Sequence, residues 1–371
     1  LPDMMRVGLP KCIANDHLDS INTEFKKFLA LNDHQLNKLT VSQVRDIVLN
    51  KEEPIQNQTN IIAYIDKYYQ NSVLNRPSFK IGTKKNYVKA ITHIKKFAKI
   101  EALEKVTFNE FDFNYAVKLK NYLLNDKPEI KKKGMTEVSA YGIIKKYRTI
   151  FDQAIEEKLI EKNYFKSIKL KNESPRKPSL TIDRLKALFD LKVGLSYRDE
   201  LSRDLIFFSS ITGLAYADTL FLPKSCLEYK ESGEVKLDTS RIKTKVFVQQ
   251  FLTSFAINMI NKYKDHPLSS STPYVFPFID NSDYNKILKL LALKTSVNFK
   301  LSTHTGRHSF RQFLPEAGIE DSSVISRMMG KAIKDRVDNV YYEITESRLI
   351  EAKRKFELYL CNNLNEPQEE K

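Results

Sequence analysis

Cysteine is scarce in this chain: Cys12, Cys226 and Cys361 are the only three in 371 residues. They are too scattered and too odd in number for a disulfide framework, and no metal-ligand spacing exists. That usage fits a reducing compartment. Glycine is scarce too, at 10 residues, while Leu, Ile, Lys and Glu abound, so the chain reads as mostly helical. No apolar run approaches the ~18 residues of a membrane span, and no secretory signal opens the sequence. Internal repeats and low-complexity segments are lacking. So is a clustered carboxylate set of the kind metal-dependent nucleases and transposases use. Leu1 rather than Met stands first, as in a truncated or processed chain with a further domain upstream.

What is abundant is positive charge. The 61 Lys and Arg against 46 Asp and Glu leave a formal charge of +15. Such a balance biases a protein toward polyanions, nucleic acid first; the plain alternative is a lysine-rich surface kept soluble by charge. Apolar residues make up 42% of the chain, enough for substantial cores. We read four regions. Residues 1–56 are an N-terminal helical tail or the end of an appendage, with helical stretches near 14–31 and 40–49, before Pro54 breaks the chain. Residues 57–170 form a basic helical block. There Thr83 is placed to cap a helix with Tyr87, Ile91, Ile94 and Ala98 on its apolar stripe. A second helix over 138–158 turns Ile143, Tyr147, Ile150 and Ala154 inward and Lys145, Lys146 and Arg148 outward. Any single lysine of these faces is most simply solvated, but two basic helices in one block raise the odds of phosphate contact. Residues 171–179 hold Pro175 and Pro178 among polar neighbours and read as a linker. Residues 180–371 mix helix with a small sheet. Thr181 or Ser179 caps the first helix, 205–211 is a buried helix segment, and 234–238 and 246–252 are strands with Arg241 to Lys245 between or within them. A helix follows at 255–263.

The densest chemistry lies near the end. His304-Thr305-Gly306-Arg307-His308-Ser309-Phe310 holds two of the six histidines, and Val340-Tyr341-Tyr342-Glu343-Ile344-Thr345 follows. A phenol titrates near ~10, so it becomes a useful nucleophile only where cations stabilise the phenolate and a developing phosphorane. At three residues' spacing His304 and Arg307 share one face of a helix start. A guanidinium can hold two phosphate oxygens at once; its plain alternative is a structural ion pair, and that of His304 is a cap or core histidine. His304 and His308 lack a third partner for a metal.

These residues resemble the tyrosine recombinase (phage integrase) family, in which His-x-x-Arg-His-[Ser/Thr]-Phe precedes a catalytic tyrosine. Thr212-Gly213-Leu214-Ala215-Tyr216 is similar to the first catalytic motif of integrases from conjugative and mobilisable elements. The resemblance covers roughly residues 57–360. It implies a mainly α fold with a small antiparallel β-sheet: a helical core DNA-binding domain at 57–170 and an α+β catalytic domain at 180–371. It further implies a site-specific recombinase that cuts and rejoins double-stranded DNA through a 3′-phosphotyrosyl intermediate. The nucleophile would be Tyr341, in register with the aliphatic-Tyr-x-x-[Ile/Val] pattern, with Tyr342 the alternative. Arg307 would bind the phosphate, and His304 would bond a nonbridging oxygen or assist proton transfer. Lys243, in Arg241-Ile242-Lys243-Thr244-Lys245, would protonate the leaving 5′ oxygen, with Lys245 its competitor.

Two departures stand out. Most members have Arg directly after Thr-Gly-Leu, where this chain has Ala215; we expect Arg241 to replace it from a strand face shared with Lys243 and Lys245. The family's Gly-His or Gly-Trp falls at Gly330-Lys331, so Lys331, or Gly330 if the register slides by one, fills that slot. The covalent link stores the bond energy, so the mechanism implies no cofactor, neither ATP nor an essential metal. The expected partners are a homotetramer on two DNA sites and DNA-bending accessory proteins; the expected location is cytoplasmic, at the bacterial nucleoid. The tail helix 346–360 packs on its own domain or, as the family implies, on a neighbouring subunit. The rival readings are a DNA-binding regulator that kept the fold and a relaxing enzyme of the type IB topoisomerase kind.

Overall fold

The computed structural model describes residues 59–125, 133–173, 177–191, 196–295, 297–332 and 344–364, together with 19, 21–23 and 25–27. The chain divides into two compact units, Leu1–Ser174 and Pro175–Lys371. Most of the helices expected over 14–31 and 40–49 lie outside the described residues, although Asp19, residues 21–23 and residues 25–27 are helical. Among the described residues no helix is long and apolar enough to cross a membrane.

The first unit is helical. Helix α1 (Ile61–Tyr68) begins at Asn60, whose side chain accepts from the Ala63 N–H, and runs on as a π-helical segment, Tyr69–Leu74. Helix α2 spans Ile81–Ile100. It starts before Thr83, because Ile81 and Gly82 already adopt the helical turn with Lys80 as cap; the expected threonine cap is therefore a first-turn residue. Helices α3 (Phe113–Leu124) and α4 (Glu137–Glu156) start at Asp112 and Thr136, whose side chains accept from the Tyr115 and Ser139 N–H groups. The apolar stripes of α2 and α4 meet as expected, with Ile94, Phe97, Tyr147, Ile150 and Phe151 fully buried. Tyr147 donates from its hydroxyl to the Ala90 carbonyl at 2.7 Å, tying α4 to α2. Phe111 lies 4.5 Å from Phe151 and 5.4 Å from Phe165, centroid to centroid, at the centre of an aromatic core. One expected outward cation turns back: Arg148 donates to the Phe165 and Ile168 carbonyls at 3.0 and 2.7 Å. The guanidinium thereby ties α4 to the segment that follows it and serves the fold.

The second unit wraps a long central helix. Helix α5 (Ile182–Phe189) is capped by Thr181, as expected. Helix α6 (Tyr197–Thr212) is buried at every position from Leu201 to Thr212, which marks it as the core rod. Its charges survive burial by pairing: Asp204 accepts from Arg203, Lys262 and the Tyr263 hydroxyl. Helix α7 (Tyr216–Leu220) follows, then a three-stranded antiparallel sheet in the order β1 (Leu227–Tyr229), β2 (Val235–Ser240), β3 (Phe247–Phe251). The pairing runs from Lys236 opposite Phe251 to Ser240 opposite Phe247. The remaining helices are α8 (Ser254–Lys264), α9 (Pro267–Ser270), α10 (Asn281–Lys294), α11 (Thr305–Glu316), α12 (Ser322–Met329) and α13 (Glu346–Asn363). The tail helix α13 packs within its own unit. Leu349, Ala352, Phe356 and Leu360 are buried, and Phe356 meets Phe310 edge to face at 5.4 Å. Lys236 and Arg348 pair with Glu346 and Asp321 and fix the start of α13 to β2 and to the start of α12. The fold is thus mainly α with one small antiparallel sheet.

Phe151→Ala should cost about 3–5 kcal/mol, seen as a lower denaturant midpoint, because the ring is fully buried against the rings of Phe108, Phe111 and Phe165. A loss below about 1 kcal/mol would show that this core is not the one described.

Candidate active site

The site forms where three chain breaks of the second unit converge. Helix α6 ends at Gly213, whose φ of +69° is the left-handed cap that glycine takes without strain. A Cβ there would lie 2.3 Å from Cδ1 of Phe310, so both the turn and the packing require glycine. Helix α11 begins at His304, and α12 ends at Met329. Arg307, in the first turn of α11, joins the three: Nη1 donates to the Gly213 carbonyl and Nη2 to the Met329 carbonyl, both at 2.6 Å. Only 8% of Arg307 is exposed, yet no carboxylate among the described residues accepts from it. The plain alternative of an ion pair is therefore not what the side chain makes. Burial, then the charge of Arg241, pushes the guanidinium down to about 10, opposed by Asp218. A buried cation held short of neutralisation is a ready seat for an anion.

Arg241 comes from the β2–β3 hairpin, but not from a strand. The ladder ends at Ser240 and Phe247, and the Arg241 and Lys245 N–H groups donate to the Val246 and Arg241 carbonyls, closing a turn over 242–245. The alternation expected for Arg241, Lys243 and Lys245 fails because turn residues have no pleat. Lys245, at φ +59°, is turned furthest from strand geometry. Arg241 is instead aimed by Asp218, whose carboxylate accepts from Arg241 Nε at 3.0 Å and from the Ile242 N–H at 2.8 Å. Asp218 is 3% exposed in its side chain and Arg241 15%, so this is a largely buried pair. Its Nε bond leaves both terminal nitrogens of Arg241 available to another acceptor. The stem of Arg241 crosses Gly330, where a Cβ would lie 2.7 Å from its Cγ. Gly330, left-handed at φ +58°, thus gives Arg241 its floor.

The remaining cations gather around this pair. His304 is driven below its usual range by burial and by Lys177, Lys243, Arg307 and Arg241, in that order. His308 is lowered by burial, Lys177, His304, Arg307 and Lys331. Lys331 is lowered by partial burial and by Arg307, Arg311 and Arg241. Arg307, His304, Lys243, Arg241 and Lys331 therefore fall within one electrostatic neighbourhood. Sequence reading missed Asp218, Lys177 and Arg311. Only Asp218 carried a signal, as the acid three residues after the alanine that replaces an arginine. Tyr341 and Tyr342 lie outside the described residues; the chain is next described at Ile344, which is buried. Among the described residues no group of three or more His, Cys, Asp or Glu is placed to hold a metal.

Residues 60–172 match the family model of the phage integrase SAM-like domain. No curated protein matches the sequence. Among solved structures, the fold is similar to a lambda integrase (75–356) dimer bound to a COC′ core site, with a TM-score of 0.58 at 15% identity over 77% of this chain and 98% of that one. It is also similar to the Tn1549 transposon integrase (residues 82–397) in complex with circular intermediate DNA, with a TM-score of 0.54 at 15% identity over 78% and 97% of the two chains. The XerH site-specific recombinase bound to palindromic difH substrate gives 0.54 at 16% identity over 90% and 94%.

Because the folded pKa values of His304 and His308 are depressed, the unfolded chain binds their protons more readily. Their contribution is fully present above the ordinary histidine range near ~6.5 and is lost as pH falls below it. The melting temperature should therefore drop between about pH 7 and 5, and less steeply in His304→Gln and His308→Gln; equal slopes in all three proteins would contradict the electrostatic picture. Residues 60–172 thus match a phage integrase SAM-like domain, and the fold of the described chain is that of solved integrase and recombinase structures.

Proposed function

We propose that the protein is a site-specific DNA recombinase, the integrase of a mobile element. The observation that carries this reading is the buried Arg307 guanidinium, unpaired with any described carboxylate and flanked by Arg241. Two cations held together in a partly dry site repel each other, and a phosphodiester between them turns the repulsion into attraction. The first departure from the family pattern finds an answer here. With Ala215 unable to bind phosphate, Arg241 stands in, anchored by Asp218. Gly330 is spent on packing against that arginine, which leaves Lys331 to fill the slot of the family's His or Trp.

The chemistry follows in balanced steps. Tyr341 oxygen attacks phosphorus and becomes bonded to it, giving up its proton to the imidazole of His304, which is neutral at neutral pH. Arg307, Arg241 and Lys331 hold the nonbridging oxygens as charge accumulates. The bond to the 5′ oxygen breaks, and the Lys243 ammonium supplies that oxygen's proton. The 3′-phosphotyrosyl link then keeps the energy of the broken bond until a 5′ hydroxyl of another strand reverses the step, so no ATP is needed. Lambda integrase has been solved as a tetramer on a Holliday junction, a fold match at TM-score 0.57; we extend that assembly, four protomers on two DNA sites with DNA-bending accessory proteins, to this chain.

Nicked suicide duplexes selected for binding test the reading. The wild-type chain should form a covalent DNA adduct, peptide mass should place it on Tyr341, and Tyr341→Phe should form none while Tyr342→Phe still does. Arg241→Ala should lose about 10²–10³-fold in cleavage with DNA affinity nearly intact. An adduct-free wild type on DNA it binds specifically would favour a DNA-binding regulator, and normal cleavage by Arg241→Ala would remove that residue from the site.

A further inference from the structure

One turn beyond Arg307 on α11, the second unit opens a cavity of about 410 Å³ lined by Lys177, Ser179, His308, Arg311, Gln312 and Glu316, with Pro315 at its edge. Its chemistry is lopsided. Lys177 and Arg311 are exposed, and among the described residues neither is paired with a carboxylate. His308 Nε2 is buried without a hydrogen-bond partner. The one acid in the wall is already engaged: Glu316 accepts from Gln312 Nε2 at 3.3 Å and from the Tyr359 hydroxyl at 2.6 Å. Gln312 is held in turn by the Ser179 hydroxyl. The polar wall on the acid side is therefore internally satisfied, and the cationic side is not.

We propose that this cavity is a second phosphate site, taking the DNA backbone phosphate next to the one attacked, on the same strand. The inference rests on the recombinase reading of Arg307. Lys177 and Arg311 supply charge, and His308, as its Nε2–H tautomer, donates to a nonbridging oxygen. The two sites lie along one helix: Arg307 and Arg311 are four residues apart, a rise of about 6 Å, comparable with the step between neighbouring phosphates of a strand. The histidine rings of the two sites are 6.5 Å apart, so the second site touches the first. Seating the neighbouring phosphate fixes the register of the strand, and the scissile phosphorus is then presented to Arg307 in a defined position.

Equilibrium binding of the full chain to duplexes carrying one neutral methylphosphonate at successive positions of the cut strand tests this. The wild type should lose about tenfold at the scissile position and again at its neighbour. Arg311→Ala and Lys177→Ala should bind more weakly overall, with a log–log salt slope shallower by roughly one, and should no longer respond to the neighbouring methylphosphonate while still responding to the scissile one. Arg307→Ala should show the reverse. Arg311→Lys, which keeps the charge, should restore part of the neighbour response and so separates phosphate contact from misfolding. If Arg311→Ala and Lys177→Ala keep the wild-type positional profile, the second site is wrong even where the wild type still forms its covalent adduct. If the wild type shows neither adduct nor positional profile, the recombinase reading itself fails and takes the second site with it.

Discussion

The second unit is organised around one buried cation whose hydrogen bonds go to backbone. Arg307 ends up between the C-terminal carbonyls of two helices, α6 at Gly213 and α12 at Met329. Helix C-termini carry partial negative charge, so these carbonyls offset part of the desolvation cost of the guanidinium without neutralising it. A carboxylate in their place would have neutralised the guanidinium in a buried ion pair. Nearly everything else local serves that arrangement. Gly213 permits the turn that points its carbonyl inward, Phe310 seals the space where a side chain would have stood, and the N-terminus of α11 is brought up against α6.

The Asp218–Arg241 pair solves the complementary problem of placing a second cation beside the first. A free arginine would swing away from Arg307. Tying Nε to a buried carboxylate, and tying the next backbone N–H to the same carboxylate, fixes both the side chain and the hairpin turn that bears it. One acid thereby sets the direction of a guanidinium and the position of Lys243, two residues on. The cost is a nearly buried ion pair whose loss of either partner would strand the other.

Much of this was legible in the sequence, and the parts that were not share a cause. Helices α2, α4 and α13 were read from their apolar stripes, and the structure buries those stripes: Ile94 on α2, Tyr147 on α4, Phe356 on α13. Thr181 caps α5 because a hydroxyl before a helical run has a local partner. Arg307 and His304 drew attention by their spacing, and Lys331 by the resemblance. What failed was nonlocal. Arg148 sits on the outer half of a helix by periodicity, yet it turns to carbonyls of a segment some twenty residues later in the chain. The hairpin cations were assigned a strand face, but the ladder stops at Ser240, and hydrogen bonds across the turn decide where it stops.

Asp218 is the instructive case. In the sequence its one mark is its place three residues after Ala215; its partner is more than twenty positions away and its effect appears only when the hairpin folds back over α7. The same fold explains why an alanine at position 215 is compatible with a charged site. Ala215 is 8% exposed and stands at the start of α7 on an extended backbone. Where the family pattern has an arginine this chain has Ala215, and a second guanidinium, that of Arg241, reaches the neighbourhood of Arg307 from the hairpin, anchored by Asp218.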